Sequence, residues 1–531
     1  MNIWITKRIE MVLSWWWLAV CMLLWCAAPT MAQPLPDAGS LMRQQEQHEH
    51  KSLHSSPEIV APEVVRPAMK KTDGLQVQVN AIRFVGAVDL VSESDLQGLV
   101  HHAIGKRLDM DGLQQLADRV TKYLRDQGFL LARAYLPEQG VTAGTIEIAI
   151  LKGRLDGVSG SPEGWNISLS EGARMDAARL VSIGESAMAS GSTVRRGDLE
   201  RALLLMNDLP GINAHARLAP GNSPDTTRVI VEAEEGPLLS ANAWLNNYGN
   251  YSVGTAQGNA LINLNDLLGI GEQVTLYASV SEGSTMGRVS YDAPIGVSGL
   301  RVQAGYSGMH YKTVNGTGVI AGLTGDSSDA SAGFTYPIIR SRAVNLYSGL
   351  HYHYKLLRDD SSAGALRYRQ VDLATLELSG DLIDALGGGG YNSWGLTMTR
   401  GQLDLGRVAS DAAADAATLR THGGFGTISF RQSRLQKMPG NFTLLEEASG
   451  QWASRNLNSS EQFVLGGPYA IRAYPVGEAQ GDEGWLAKLA LRYAVPYNSP
   501  LGRAIALKSL AAIGCKNGYF DNNRLNLVKT E

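Results

Sequence analysis

The sequence predicts two small α+β units followed by a long antiparallel β-barrel of the membrane-spanning kind. Three observations lead there. The chain opens with an export-type segment. Two successive stretches of about 80 residues each run strand, helix, helix, strand, strand. From residue 238 onward the helices vanish, and strands of roughly ten residues carry one apolar face and one small or polar face.

The export segment comes first. Lys7 and Arg8 precede "MVLSWWWLAVCMLLWCAAP", and "PTMAQP" supplies short residues at Thr30 and Ala32, the pattern of a signal peptide over residues 1–32. A polar stretch with Pro and Gln follows without a basic stop signal, which favours cleavage over an uncleaved anchor. Bulky Trp25 before Cys26 argues against a lipoprotein signal. Cys21 and Cys26 leave with the signal, so the exported chain keeps Cys515 and can form neither an internal disulfide nor a cysteine zinc site. Lys+Arg 47 nearly cancels Asp+Glu 51, so nothing suggests a polyanion-binding protein and no nucleic-acid partner is expected. A mean hydropathy of -0.10 excludes a helical membrane protein.

Residues 33–55 read as a short polar helix started by Pro36 and Asp37, with little apolar surface at Leu41, Met42 and Gln45. His48, His50 and His54 are expected to be solvated there and not to ligate metal. Pro57, Pro62 and Pro67 make residues 56–74 an extended linker. The first unit, 75–154, begins with the strand "LQVQVNAIRFVG". Two capped helices follow, the second lined by Leu113, Leu116, Ala117, Val120 and Leu124, and "LLARAYLPEQ" and "GTIEIAILKGRLDGV" close it. The second unit, 155–237, repeats the order. "LDGVSGS" is its first strand, two helices carry Leu199, Ala202, Leu203 and Met206, and "INAHARLAPG" and "TTRVIVEAEEGP" end it.

Residues 238–531 alternate in the barrel manner. Val274, Leu276, Ala278 and Val280 oppose Thr275, Tyr277 and Ser279; Leu350, Tyr352 and Tyr354 oppose Gly349, His351 and His353. Tracts such as "GLTGDSSDASAG" and "VASDAAADAA" read as connections, and His351 and His353 as solvated groups facing the lumen. A soluble sandwich would bury its apolar side, and 531 − 238 = 293 residues exceed a single sandwich.

"LGGPYAIRAYPVGEAQGDEGW", Leu465 to Trp485, breaks this pattern with five glycines, two prolines and one arginine. Glycines 466, 467, 477, 481 and 484 permit tight turns, and Arg472 can dock onto acids by a planar fork. With "PDAGSLMRQQEQ" and "LLLMNDLPG", this loop makes the chain resemble the two-partner secretion translocators (TpsB type; the ShlB/FhaC/HecB haemolysin secretion/activation family) of the outer-membrane assembly-factor superfamily. The resemblance runs from Pro36 to about Pro500. It implies tandem POTRA domains in the periplasm, a 16-stranded outer-membrane barrel, and the first helix as a possible barrel plug. It further implies a loop folded back into the lumen, with Gly466, Gly467, Arg472, Tyr474, Asp482 and Gly484 as its motif. Asp482 serves either this loop or the start of the next strand, and Ala473 stands where the family has glycine.

The expected partners are a secreted exoprotein, unfolded and recognised through its N-terminal secretion domain, outer-membrane lipid, and the barrel-assembly machinery. No cofactor, metal or enzymatic activity is expected, for no nucleophile elbow, Walker loop or HExxH occurs. A barrel-assembly factor or a passive porin are the alternative readings. After about Lys508 the alternation is lost, and "YFDNN" poorly matches the family's aspartate-bearing strand. The last barrel strands are therefore expected to be incomplete.

Overall fold

The computed structural model describes residues 36–46, 59–60, 76–86, 89–139, 144–158, 163–223, 225–472 and 474–496. The export segment, His48, His50, His54, most of the linker and everything after residue 496, with the expectations attached to them, lie outside these residues.

Helix α1 spans Ala38–Glu46. Strand β1, Ile59–Val60, lies within the expected linker and pairs in parallel with Ala216 and Arg217. The first unit holds β2 (Val77–Gln78), β3 (Ala81–Gly86), α2 (Glu93–Val100), β4 (Arg107–Leu108), α3 (Met110–Asp126), β5 (Arg133–Tyr135) and β6 (Thr145–Leu151). Ser92 and Asp109 cap α2 and α3 through their side chains. The predicted stripe Leu113, Leu116, Ala117, Val120 and Leu124 is buried against Ile82, Phe84, Ile146 and Ile148.

The second unit has β7 (Arg154–Leu155), β8 (Trp165–Leu169), α4 (Ala177–Ala187), α5 (Arg196–Asn207), β9 (Ile212–Pro220) and β10 (Thr226–Glu235). Its first strand corrects the sequence reading. "LDGVSGS" contributes only the end of β7, a two-residue pairing with β10, and the longer strand that pairs with β10 is "WNISL", where Trp165 is buried against the helices. Glycines and serines give a strand nothing to pack, whereas Trp and Ile do. The two units share backbone: Leu130 donates to Val194 O (3.2 Å) and Arg196 to Gly128 O (2.9 Å), with Leu130 and Leu131 against the second core.

Among the described residues twelve antiparallel strands follow in one sheet: β11 (Leu239–Asn246), β12 (Gln257–Asn265), β13 (Gln273–Val280), β14 (Ser284–Pro294), β15 (Arg301–Lys312), β16 (Thr324–Arg340), β17 (Val344–Ser361), β18 (Gly364–Asp384), β19 (Gly390–Asp404), β20 (Gly423–Lys437), β21 (Phe442–Ala453) and, after the short pair β22 (Phe463–Val464) and β23 (Gln480–Gly481), β24 (Gly484–Tyr493). The order β11 to β21 and then β24 is sequential, and among the described residues the sheet is not closed.

"GLTGDSSDASAG" is not a connection but the first half of β16, because its Gly325, Ser327 and Asp329 form a small, polar inward face. "VASDAAADAA" does lie in a connection, that between β19 and β20, and forms helix α6, Ala409–Ala417, there, as an alanine-rich run favours.

Outward residues are apolar and in register. Phe334, Leu350, Leu376, Met398, Ile428 and Trp452 are each directly paired with the next across six strands, and all are exposed. Such a row across a sheet is stable only against hydrocarbon. The connections at one end are short turns, and helices α4 and α5 pack against them. Arg179 donates to Gly296 O (3.1 Å), Arg201 to Pro337 O (3.2 Å), and Arg340 forks onto both oxygens of Asp208 at 2.8 and 2.9 Å. The long connections, including α6 and the segment 454–483, are at the other end.

Candidate functional site: a helix and a loop inside the barrel

The inward face of the sheet is occupied. Helix α1 lies on it, and Ala38, Leu41 and Met42 join Met286, Met309, Tyr311, Leu357, Val371, Leu373, Leu403 and Phe425 in one buried cluster. The expectation of little apolar surface on this helix is corrected. Two large side chains one turn from a buried Ala38 are enough to seat nine residues on a wall that offers Met and Leu.

Both ends of α1 are pinned. At its start Asp37 Oδ1 accepts from Ser40 N (2.7 Å), an N-cap, and from Ser459 Oγ (2.7 Å). Arg367 Nη1 donates to Asp37 Oδ2 (3.0 Å), and Ala38 N donates to Asp359 Oδ1 (2.8 Å), placing a carboxylate on the positive end of the helix. Asp359 is itself held by Tyr311 Oη (2.7 Å), whose ring crosses Gly325, where a Cβ would meet it at 2.4 Å. At its end Glu46 meets Lys355 Nζ (3.0 Å), which also donates to Glu461 (3.2 Å). Burial alone would raise the Glu46 carboxyl, but Lys355 and then Arg43 outweigh it and hold it well below the usual carboxylate range. Gly39 faces Ser459 and Ser460 so closely that a Cβ would stand 2.7 Å from Ser459 Oγ.

His353 is not a solvated lumen group. It is half-buried, and its Nδ1 lies 3.0 Å from buried Asp329 on β16.

The segment 454–483 turns inward. Lys488, on the face of β24 opposite exposed Trp485 and Leu489, donates to Tyr469 O (2.9 Å). Asn250 Nδ2 bridges Gln44 Oε1 of α1 (3.0 Å) and Val476 O (3.2 Å). Gly477, at φ 77°, leaves room for Gln44, whose Nε2 a Cβ would meet at 2.4 Å. Gly466 is packed on Pro475 O and Gly467 has φ 115°, so both glycines are required by the turn. Tyr474 is exposed, and its carbonyl accepts from Gly467 N (3.1 Å). Arg472 is exposed, with Nε 3.4 Å from Pro468 O. Asp482 serves the base of the loop: its Oδ1 accepts from Leu457 N (3.0 Å) and Gln462 Nε2 (2.8 Å). Gly484 opens β24 beside Phe463. The structure therefore brings Gly466, Gly467 and Tyr474 into one turn and puts Asp482 and Gly484 at its root. Sequence reasoning passed over Lys355, Asp359, Arg367 and Glu461; the first three carry a signal, charge at inward positions of strands, and Glu461, in a short turn, carries none.

With this geometry in place, the similarities to known proteins follow. The family profile described as "Haemolysin secretion/activation protein ShlB/FhaC/HecB" matches residues 225–512, and "POTRA domain, ShlB-type" matches residues 77–153. The first covers 512 − 224 = 288 of 531 residues, more than half of the chain. The chain is 23% identical over 473 residues to the heme/hemopexin transporter protein HuxB of Haemophilus influenzae (strain 86-028NP), covering 88% of this chain and 81% of that one. It is 23% identical over 516 residues to the outer membrane transporter CdiB of Escherichia coli O6:K15:H31, covering 92% and 82%. The solved structure of CdiB from Escherichia coli shares the fold at TM-score 0.64 and 21% identity, covering 88% of this chain and 86% of that one. CdiB from Acinetobacter baumannii does so at TM-score 0.58 and 17% identity, covering 87% of each. The relatives are named as transporters and the profile as a secretion/activation protein. This chain belongs to the haemolysin secretion/activation family, the outer-membrane two-partner secretion translocators, with its POTRA module in the periplasm.

Proposed function

We propose that this chain passes one large exoprotein of the haemolysin or adhesin type, unfolded, through the barrel lumen, with α1 as the plug of the resting channel. Residues 75–154 and 155–237 act as two POTRA domains that catch the partner's N-terminal secretion domain, and 238–531 form the barrel. The observation that carries the reading is the seating of α1, which fills the inward face and is anchored at both ends by wall charges. A passive porin has no use for such a removable stopper. Strand β3 of the first unit and β8 of the second each pair on one side among the described residues, so an extended chain can add to them through main-chain hydrogen bonds. The exposed row from Phe334 to Trp452 would contact outer-membrane lipid, and insertion would fall to the barrel-assembly machinery.

The test is deletion of this chain in its own host. A secreted β-rich protein should then accumulate in the periplasm, and the full chain, purified, should bind that protein's unfolded N-terminal segment. Normal secretion without the chain, or no binding at high micromolar concentration, contradicts the proposal.

A further inference from the structure

We infer that helix α6, in the connection between β19 and β20, is a second closure of the lumen, latched by Arg369 and coupled to the plug. The inference rests on the plug reading above and adds a lid to it.

Arg369 stands on the inward face of β18, with its guanidinium largely buried. Its Nε and Nη2 donate to the two carboxylate oxygens of Asp411 on α6 at 2.8 and 2.7 Å, and its Nη1 donates to Asn458 Oδ1 at 2.7 Å. All three directions of the fork are thus in use, two on the lid and one on the root of the inward loop. The stretch 458–461 also holds the plug. Ser459 donates to Asp37 at the start of α1, and Glu461 shares Lys355 with Glu46 at its end. Asn458 and Glu461 are joined through Ser460, which accepts from Asn458 Nδ2 (2.8 Å) and donates to Glu461 Oε1 (2.9 Å).

Apolar packing follows the same path. Leu405 before α6, Leu457 and the half-buried Ala412 of α6 belong to the cluster that contains Ala38, Leu41 and Met42. The far end of α6 is tied by Asp415, which accepts from Thr421 N and Oγ and from His422 N. Lifting α6 alone would strand a buried guanidinium and a buried carboxylate, whereas a shift of 458–461 that frees the plug also withdraws the third partner of Arg369. The two closures therefore open in concert. Arg369 is a positioning residue: it acts on the plug through this stretch.

The experiment uses the full chain with Cys515→Ser and Met42→Cys, so that the single thiol lies on the buried face of α1. A membrane-impermeant maleimide is added to intact cells. Arg369→Gln and Asp411→Asn should each speed labelling by about 5- to 150-fold, the usual range for a coupling of this kind. The double variant should be no faster than either single, because both remove one clasp. Lys355→Met, which frees the plug directly, is the control. If it speeds labelling and the clasp variants do not, or if the two clasp variants add, the coupling is wrong while the plug reading stands. If Lys355→Met does not speed labelling either, the plug reading fails first. Heat-modifiable migration checks that each barrel is folded. Should Arg369→Gln not fold, replacement of residues 409–417 by a Gly/Ser linker takes its place, with the same expected and contrary results.

Discussion

Lys355 is one buried cation between the half-buried carboxylate of Glu46 and the buried one of Glu461, and it joins the barrel wall to the plug and to the inward loop at one point. Lys355→Met leaves Glu461 without its counter-charge and Glu46 with Arg43 alone, at about 3–5 kcal/mol. In planar bilayers that variant should spend more time open than the parent, and an unchanged open fraction would contradict the anchoring role. Arg472 belongs to the same scale. The structure shows it exposed beside Pro468. Arg472→Ala should cut secretion of the partner to below about a tenth with the barrel still inserted, consistent with loss of a charged hydrogen-bonding group at about 1–3 kcal/mol. Arg472→Lys should recover part of it, because the charge stays and the fork is lost. Secretion of the alanine variant at the parent level would count against the motif.

Among elements, α1 shows what a sequence reading finds and what it misses. Pro36 and Asp37 announced a helix start, and the structure begins α1 at Ala38. Its partners were invisible, because Asp359 and Ser459 lie 321 and 422 residues away from theirs along the chain. The stripe of α3 was legible since its period is local, and so were the barrel strands whose inward face is polar. The first half of β16 was not, because Gly, Ser and Asp facing a plugged lumen look like a loop. α6 was missed for the opposite reason: short alanine runs between strands carry no apolar stripe. Gly39 gives the element a steric test. A side chain there meets Ser459 and the backbone of Ser460 inside 3 Å, so Gly39→Val should undock α1, at about 1–3 kcal/mol, and raise conductance without lowering the amount of folded barrel. A variant as closed as the parent would refute that contact.

At the scale of the molecule, the polar interior and the apolar exterior are two faces of the same strands, and this single alternation requires a membrane. Leu376 sits in the exposed row, between Leu350 and Met398. Leu376→Arg should cost about 2–4 kcal/mol at mid-depth and reduce the heat-modifiable band, whereas a normal band would remove the residue from the lipid face. The second unit is fastened to the short turns by Arg179, Arg201 and Arg340, so a partner held there is held at the mouth of the lumen that α1 occupies. The account therefore turns on whether α1 must leave for the partner to pass. Asp37→Cys with Ser459→Cys, in a Cys515→Ser chain, places two thiols on neighbouring side chains whose Oδ1 and Oγ lie 2.7 Å apart, within reach of a disulfide. The measurement is secretion of the partner by cells carrying the oxidised pair. The account predicts that secretion stops when the bond forms and returns on reduction; secretion at the reduced level by a fully cross-linked chain would contradict it.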